Sequence, residues 1–158
     1  MTQEEYESLK ELLLKDLCAR LPYGVIGQCE IDASYDTSFE TKPQTHKFDA
    51  EVYGLLEEGL LLVTPLIEDQ DVQELANEEV ADGVNILDFK PYLFPISSMP
   101  EEATREFSKT LDWVRTTRGY SESEFTWDTF DCVNKHHIDY RGLIEKGLAI
   151  DATGLNIY

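Results

Sequence analysis

FDAEVYGLLEEGLLLVT, residues Phe48–Thr64, is the stretch that decides the fold. Phe48, Ala50, Val52 and Gly54 alternate with Asp49, Glu51 and Tyr53, the period of two that puts one set of side chains on a dry face and the other on a wet one. Glu57-Glu58-Gly59 then interrupts the pattern with a glycine able to take positive φ, and Leu60–Thr64 returns as an apolar strand. The segment reads as an antiparallel hairpin, and a hairpin needs a helix or a further strand on its apolar face.

Upstream, the same alternation runs from Val25 to Tyr35, with Val25, Gly27, Cys29 and Ile31 on one face, and predicts a neighbouring strand. Thr37–Thr45, polar and holding Pro43, reads as a loop. Before Pro22 and Gly24 the period is helical. Tyr6, Leu9, Leu13 and Leu17 recur at three and four, with Leu12, Cys18 and Leu21 widening the stripe, so Thr2–Arg20 is expected to be a helix that covers the sheet. Its early glutamates and late Lys15 and Arg20 suit the helix dipole.

Downstream, Pro65–Gly83 supports a short acidic helix and Val84–Phe89 a fourth strand. Pro91 and Pro95 hold Tyr92, Leu93 and Phe94 in an extended passage that closes a corner of the core. Ser98-Met99-Pro100-Glu101 has the form of a capping box at the head of a helix running to Arg118, with Ala103, Phe107, Leu111 and Val114 inward. A further helix near Thr126–His136 carries Trp127, Phe130 and Val133, and the glycine-broken end of the chain reads as turns. The expected architecture is one α+β domain over residues 1–158: an N-terminal helix, a small antiparallel sheet of three or four strands, and C-terminal helices.

Charge is unevenly spread. Of the formal −19, residues 48–89 carry −12, with 12 acids and no Lys or Arg, while the flanking segments carry −4 and −3. Such a field repels nucleic acid and anionic membrane and attracts cationic surfaces. With 17 aromatic residues, and 42% of the chain hydrophobic, the composition is that of a folded protein. An acidic start and a longest apolar run of Leu60–Val63 argue against a signal peptide or a span, so a cytoplasmic setting is expected. Cys18, Cys29 and Cys132 fit three reduced thiols, mostly packed in the interior.

The densest group of reactive side chains is His136-His137-Ile138-Asp139-Tyr140-Arg141. Successive residues on a helix diverge by about 100°, so His136 and His137 do not readily share one ion. No third nitrogen or thiolate ligand is near in sequence, and the expectation is a pair of histidines capping a helix, with no metal and no cofactor. Cys132, inside a helical pattern and without a basic cluster, reads as packing. Signatures of nucleotide binding, serine hydrolases and zinc proteases are absent from the sequence.

KPYLFPISSMPEE (Lys90–Glu102) and HHIDYRGLIEKGLAID (His136–Asp151) resemble segments of an uncharacterised family of small proteins of gut bacteria and their phages. The resemblance covers about the C-terminal 70 residues and implies a mobile-element setting, with no activity attached. The leading functional expectation is a non-enzymatic acidic binding protein, in its sharpest form an inhibitor that docks on the basic, nucleic-acid-binding surface of a host protein. Its contacts are expected from Asp49, Glu51, Glu57, Glu58, Glu68, Asp69 and Asp71. The alternatives are a small metal-dependent hydrolase built on His136, His137 and Asp139, and a phage structural or assembly component.

Overall fold

The computed structural model describes residues 2–33, 44–56, 59–68, 70–118 and 127–158, and leaves out the side chains at 32, 33, 44, 45, 71, 72, 75, 79 and 111–118. Helix α1 (Gln3–Arg20) leads into strands β1 (Val25–Ala33), β2 (Gln44–Leu55) and β3 (Leu60–Pro65). Helix α2 (Gln70–Glu79), β4 (Val84–Asn85) and β5 (Phe89–Pro95) follow, then helices α3 (Glu101–Arg118) and α4 (Trp127–Lys135) and the short strands β6 (Ile138–Asp139) and β7 (Ile150–Asp151). The sheet order is β4-β3-β2-β1-β5-β6, with β7 also paired to β5. The protein is α+β, as its periodicities indicate.

The hairpin forms because its alternation matches a one-sided burial. Val25 pairs with Val52, Gly27 with Ala50 and Cys29 with Phe48, so the apolar members of β1 and β2 fall on one face. Leu13 and Leu17 of α1 lie in the same core as Val25, Cys29, Ala50, Val52, Leu61, Val63, Phe89 and Leu93. Gly59 takes φ +82°, the conformation asked of it, while Glu57 and Glu58 lie outside the described residues. Helix α1 begins on a capping box: the Thr2 hydroxyl accepts from the Glu5 N–H at 3.2 Å and the Thr2 N–H donates to Glu5 Oε2 at 2.7 Å.

The sheet exceeds the expected three or four antiparallel strands. Asn85 ends β4 after two residues, because its side chain accepts the Leu87 N–H at 3.0 Å and turns Ile86–Asp88 into a single 3-10 turn. The proline-rich passage is then itself a strand. Phe89, Lys90 and Pro91 pair antiparallel with Cys29, Gln28 and Gly27 of β1. Beyond Pro91, β5 changes partners and runs parallel to β7 at Tyr92–Leu93 and to β6 at Phe94–Pro95. Gly27 makes this crossing possible: a Cβ there would stand 2.8 Å from Pro91 Cα and collide with the Phe89 ring. Pro91, Tyr92 and Leu93 are buried, as a core corner requires.

Other expectations shift by a few residues. The Ser98 motif precedes the helix instead of capping it, since Ile96–Ser98 forms its own 3-10 turn and α3 starts at Glu101. Strand β2 starts at Gln44, inside the expected loop, and the other loop residues to 43 lie outside the described set, as do Ser34 and Tyr35. Trp127, at the start of α4, is 89% exposed. Cys18 is exposed too, while Cys29 and Cys132 are buried and all three thiols are free.

Candidate functional site

Helices α3 and α4 and strands β5 and β6 meet around a small second core of Ala103, Val133 and Ile138, with Phe94, Met99, Phe107 and Tyr140 against it. Beside this core opens a cleft of about 560 Å³, whose lining includes Tyr23, Lys135, His136, His137 and Tyr158. The two histidines at the end of α4 face it in different ways, because the chain reverses between them. His136 continues the helical ladder, its N–H donating to Cys132 O at 3.1 Å. His137 then takes φ +54°, the left-handed position that usually falls to glycine after a helix.

Among the described residues the His136 imidazole is not seen capping a carbonyl but meets a carboxylate. Its Nε2 lies 2.8 Å from Glu106 Oε2 on α3, and Lys135 Nζ lies 2.9 Å from the same oxygen. His136 foremost, and Lys135 after it, hold the Glu106 carboxyl below the usual carboxylate range. One helical turn before His136, Cys132 projects towards the same place. The ligating atoms of Glu106, Cys132 and His136 all lie within 4.8 Å of one another, the one such group of three among the described residues. Burial, reinforced by Glu106, pushes the Cys132 thiol up, and the residue is 3% exposed. A thiol, an imidazole and a carboxylate gathered within 4.8 Å have the composition of a nucleophilic triad. A buried thiol held in its protonated form lacks the thiolate such chemistry needs.

His137 packs flat on Tyr158, ring centroids 3.7 Å apart and planes 7° from parallel. Its Nδ1 has no hydrogen-bond partner among the described residues, and burial, aided by the Arg20 charge, lowers its pKa to about 3. Asp139 spends both oxygens on backbone, accepting the N–H groups of Leu143 at 2.8 Å and Ile144 at 2.9 Å. His136, His137 and Asp139, adjacent in sequence, therefore have three separate jobs. The missed member of the site is Glu106, 30 residues upstream. The Cys132-x-x-x-His136 spacing places two members on one helical face, but nothing in the sequence points to Glu106, which only the packing of α3 on α4 supplies.

The acidic residues are scattered. Glu51 and Glu68 are exposed, but Asp49 is half-buried and accepts the Tyr92 hydroxyl at 2.7 Å, so it ties β2 to β5 across β1. Glu57, Glu58 and Asp69 lie outside the described residues, as does the side chain of Asp71 on α2. On the open face of the sheet Glu30 is matched by Lys47 at 3.0 Å. Exposed carboxylates that sequence reasoning had not assigned to a surface stand on α1: Glu4, Glu5, Glu7 and Glu11. The Tyr6 hydroxyl accepts from Asn85 Nδ2 at 3.1 Å, which fixes the start of α1 beside the edge strand β4 of the acidic middle segment.

Among the described residues no helix is long and apolar enough to cross a membrane. No protein-family model, curated protein or solved structure matches the chain.

Proposed function

We propose that this is a non-enzymatic acidic docking protein of the cytoplasm that binds the basic, nucleic-acid-binding surface of another protein, in the phage or mobile-element setting that its C-terminal segments suggest. The observation that carries the reading is the formal charge of −19 with −12 of it in residues 48–89. The start of α1, tied to β4 through Tyr6 and carrying the exposed Glu4, Glu5 and Glu7, supports it by adding carboxylates next to that segment. Duplex DNA carries one charge per ~1.7 Å of axis, so this charge corresponds to about 32 Å of duplex. A chain of this length has a radius of gyration of about 15 Å and spans about 40 Å. The charge is thus enough to stand in for a bound duplex, provided that much of it lies on one face.

Glu51, Glu57, Glu58, Glu68, Asp69 and Asp71 remain the contact residues of this proposal, joined by the α1 carboxylates. Asp49 is now assigned to the fold, since its oxygen is taken by Tyr92. Capture from host lysate at low salt should bring down a basic protein that high salt releases, because screening shortens from ~10 Å at 0.1 M to ~3 Å at 1 M. Replacing Glu57, Glu58, Asp69 and Asp71 by their amides should weaken that capture and leave the fold intact, as circular dichroism would show. Undiminished binding by this variant at physiological salt would reduce the acidity to a solubility device.

A further inference from the structure

The Glu106–Cys132–His136 cluster goes beyond a docking role, and the sequence alone gave no reason to expect a metal there. We propose that it is a binding site for one divalent transition-metal ion of the zinc class.

The donor set is the first argument. A thiolate, an imidazole and a carboxylate together suit zinc, whereas magnesium and calcium take oxygen ligands. The geometry is the second. Around a tetrahedral zinc with bonds of about 2.0–2.3 Å, neighbouring ligand atoms stand about 3.3–3.6 Å apart. Here all three lie within 4.8 Å, so small rotamer changes bring them into range. Cys132 and His136 are four residues apart on one helical face, the spacing by which a single helix presents two ligands to one ion. Glu106 comes across the seam from α3, and its hydrogen bond to His136 at 2.8 Å shows that the two helices already hold these side chains together.

Access is from the side of the carboxylate. The Glu106 side chain is 39% exposed and that of His136 13%, while Cys132 lies beneath at 3%. In the metal-free protein the cation on Glu106 is Lys135, half exposed at 2.9 Å, and it can swing into solvent when an ion takes its place. Binding releases the thiol proton of Cys132, so the ion meets a thiolate, a neutral imidazole and a carboxylate. Three protein ligands leave a fourth position for water, and His136 also lines the neighbouring cleft.

The test uses the full chain, purified without a histidine tag and stripped of metal. Zinc titrated against a chromophoric chelator should bind one ion per chain at micromolar concentration or tighter, with a tenfold excess of magnesium having no effect. Cobalt should produce tetrahedral absorption bands together with a sulfur-to-cobalt charge-transfer band, and Cys132→Ser should abolish the latter. Glu106→Gln and His136→Gln should each weaken zinc binding by more than the roughly 10–100-fold that loss of a supporting partner costs. Lys135→Gln should leave affinity unchanged or raise it. Glu106→Gln, at a partly exposed position, keeps the assay independent of folding, which circular dichroism confirms for each variant. Binding no tighter than millimolar in the parent, or zinc affinity unchanged in Glu106→Gln and Cys132→Ser, would overturn the site. Neither result bears on docking through the acidic segment, whose variants lie elsewhere.

Discussion

Arg20 is completely buried, and its three polar partners lie at different reaches in the chain. Its Nε and Nη2 donate to the equally buried Asp16 at 2.7 and 3.0 Å, while Nη1 and Nη2 donate to the carbonyls of Val133 at 3.3 Å and Ile138 at 2.8 Å. Arg141 Nε stands 3.2 Å from Asp16, and both guanidinium groups face the Tyr140 ring. Removing one partner of a buried pair strands the other charge, so Asp16→Asn or Arg20→Met should each cost about 3–5 kcal/mol in urea unfolding. The double variant Asp16→Leu/Arg20→Met should cost less than either single change. The sequence shows the spacing of four and suggests a surface pair near the helix end; it cannot show the burial, which depends on carbonyls more than 110 residues away. A second residue-scale expectation concerns alkali. Burial, first, pushes Cys29, Tyr92 and Tyr158 up to about 12, against ordinary values of 9.0 for the thiol and 10.0 for the phenols. The folded state then keeps protons that the unfolded chain releases. Their contribution is whole below about pH 9 and is lost as pH rises towards about 12. Urea midpoints should fall across that window, and Cys29→Ala, less stable at neutral pH, should show a shallower fall.

Strand β5 is the element on which the two halves of the protein meet, and Tyr158 is its fastener. The Tyr158 hydroxyl accepts from the Ile26 N–H at 3.3 Å and lies 3.1 Å from the carbonyls of Ile26 and Tyr92, where β1 and β5 part after the Gly27–Pro91 pair. Tyr158→Phe should cost about 1 kcal/mol and speed amide exchange at Ile26, with little change at Val52 in the middle of the hairpin. At this scale, strands β1, β2 and β3 were legible because each is long enough to show a period of two. Strands β6 and β7 were not, since two residues carry no period. Strand β5 was half legible: its prolines announced an extended backbone but concealed its pairing, because Pro91 offers no N–H and the partner strand had to be glycine at Gly27 to accept it. The zinc-class ligand set was illegible for a related reason. Cys132 and His136 share a helical turn, but only the packing of α3 on α4 supplies Glu106.

At the scale of the molecule the dominant quantity is the charge, and it was readable without any structure. A net −19 on 158 residues repels itself in the compact state. Sodium chloride raised from about 0.05 to about 0.5 M should therefore raise the melting temperature, and the effect should shrink when Glu4, Glu5 and Glu7 are replaced by glutamine. A melting temperature indifferent to salt would mean that the acids are spread widely enough not to sense one another. The link from Arg20 to the carbonyl of Ile138 also sets a timetable for synthesis. The two residues are 118 apart. At roughly 5–20 residues per second a ribosome needs about 6 to 24 s to travel from one to the other. Throughout that interval the first helix lacks the carbonyls that let its aspartate–arginine pair go dry. The nascent chain must keep its N-terminal helix wet and only loosely seated on the hairpin, and Ile138 must emerge before the helix can lock down.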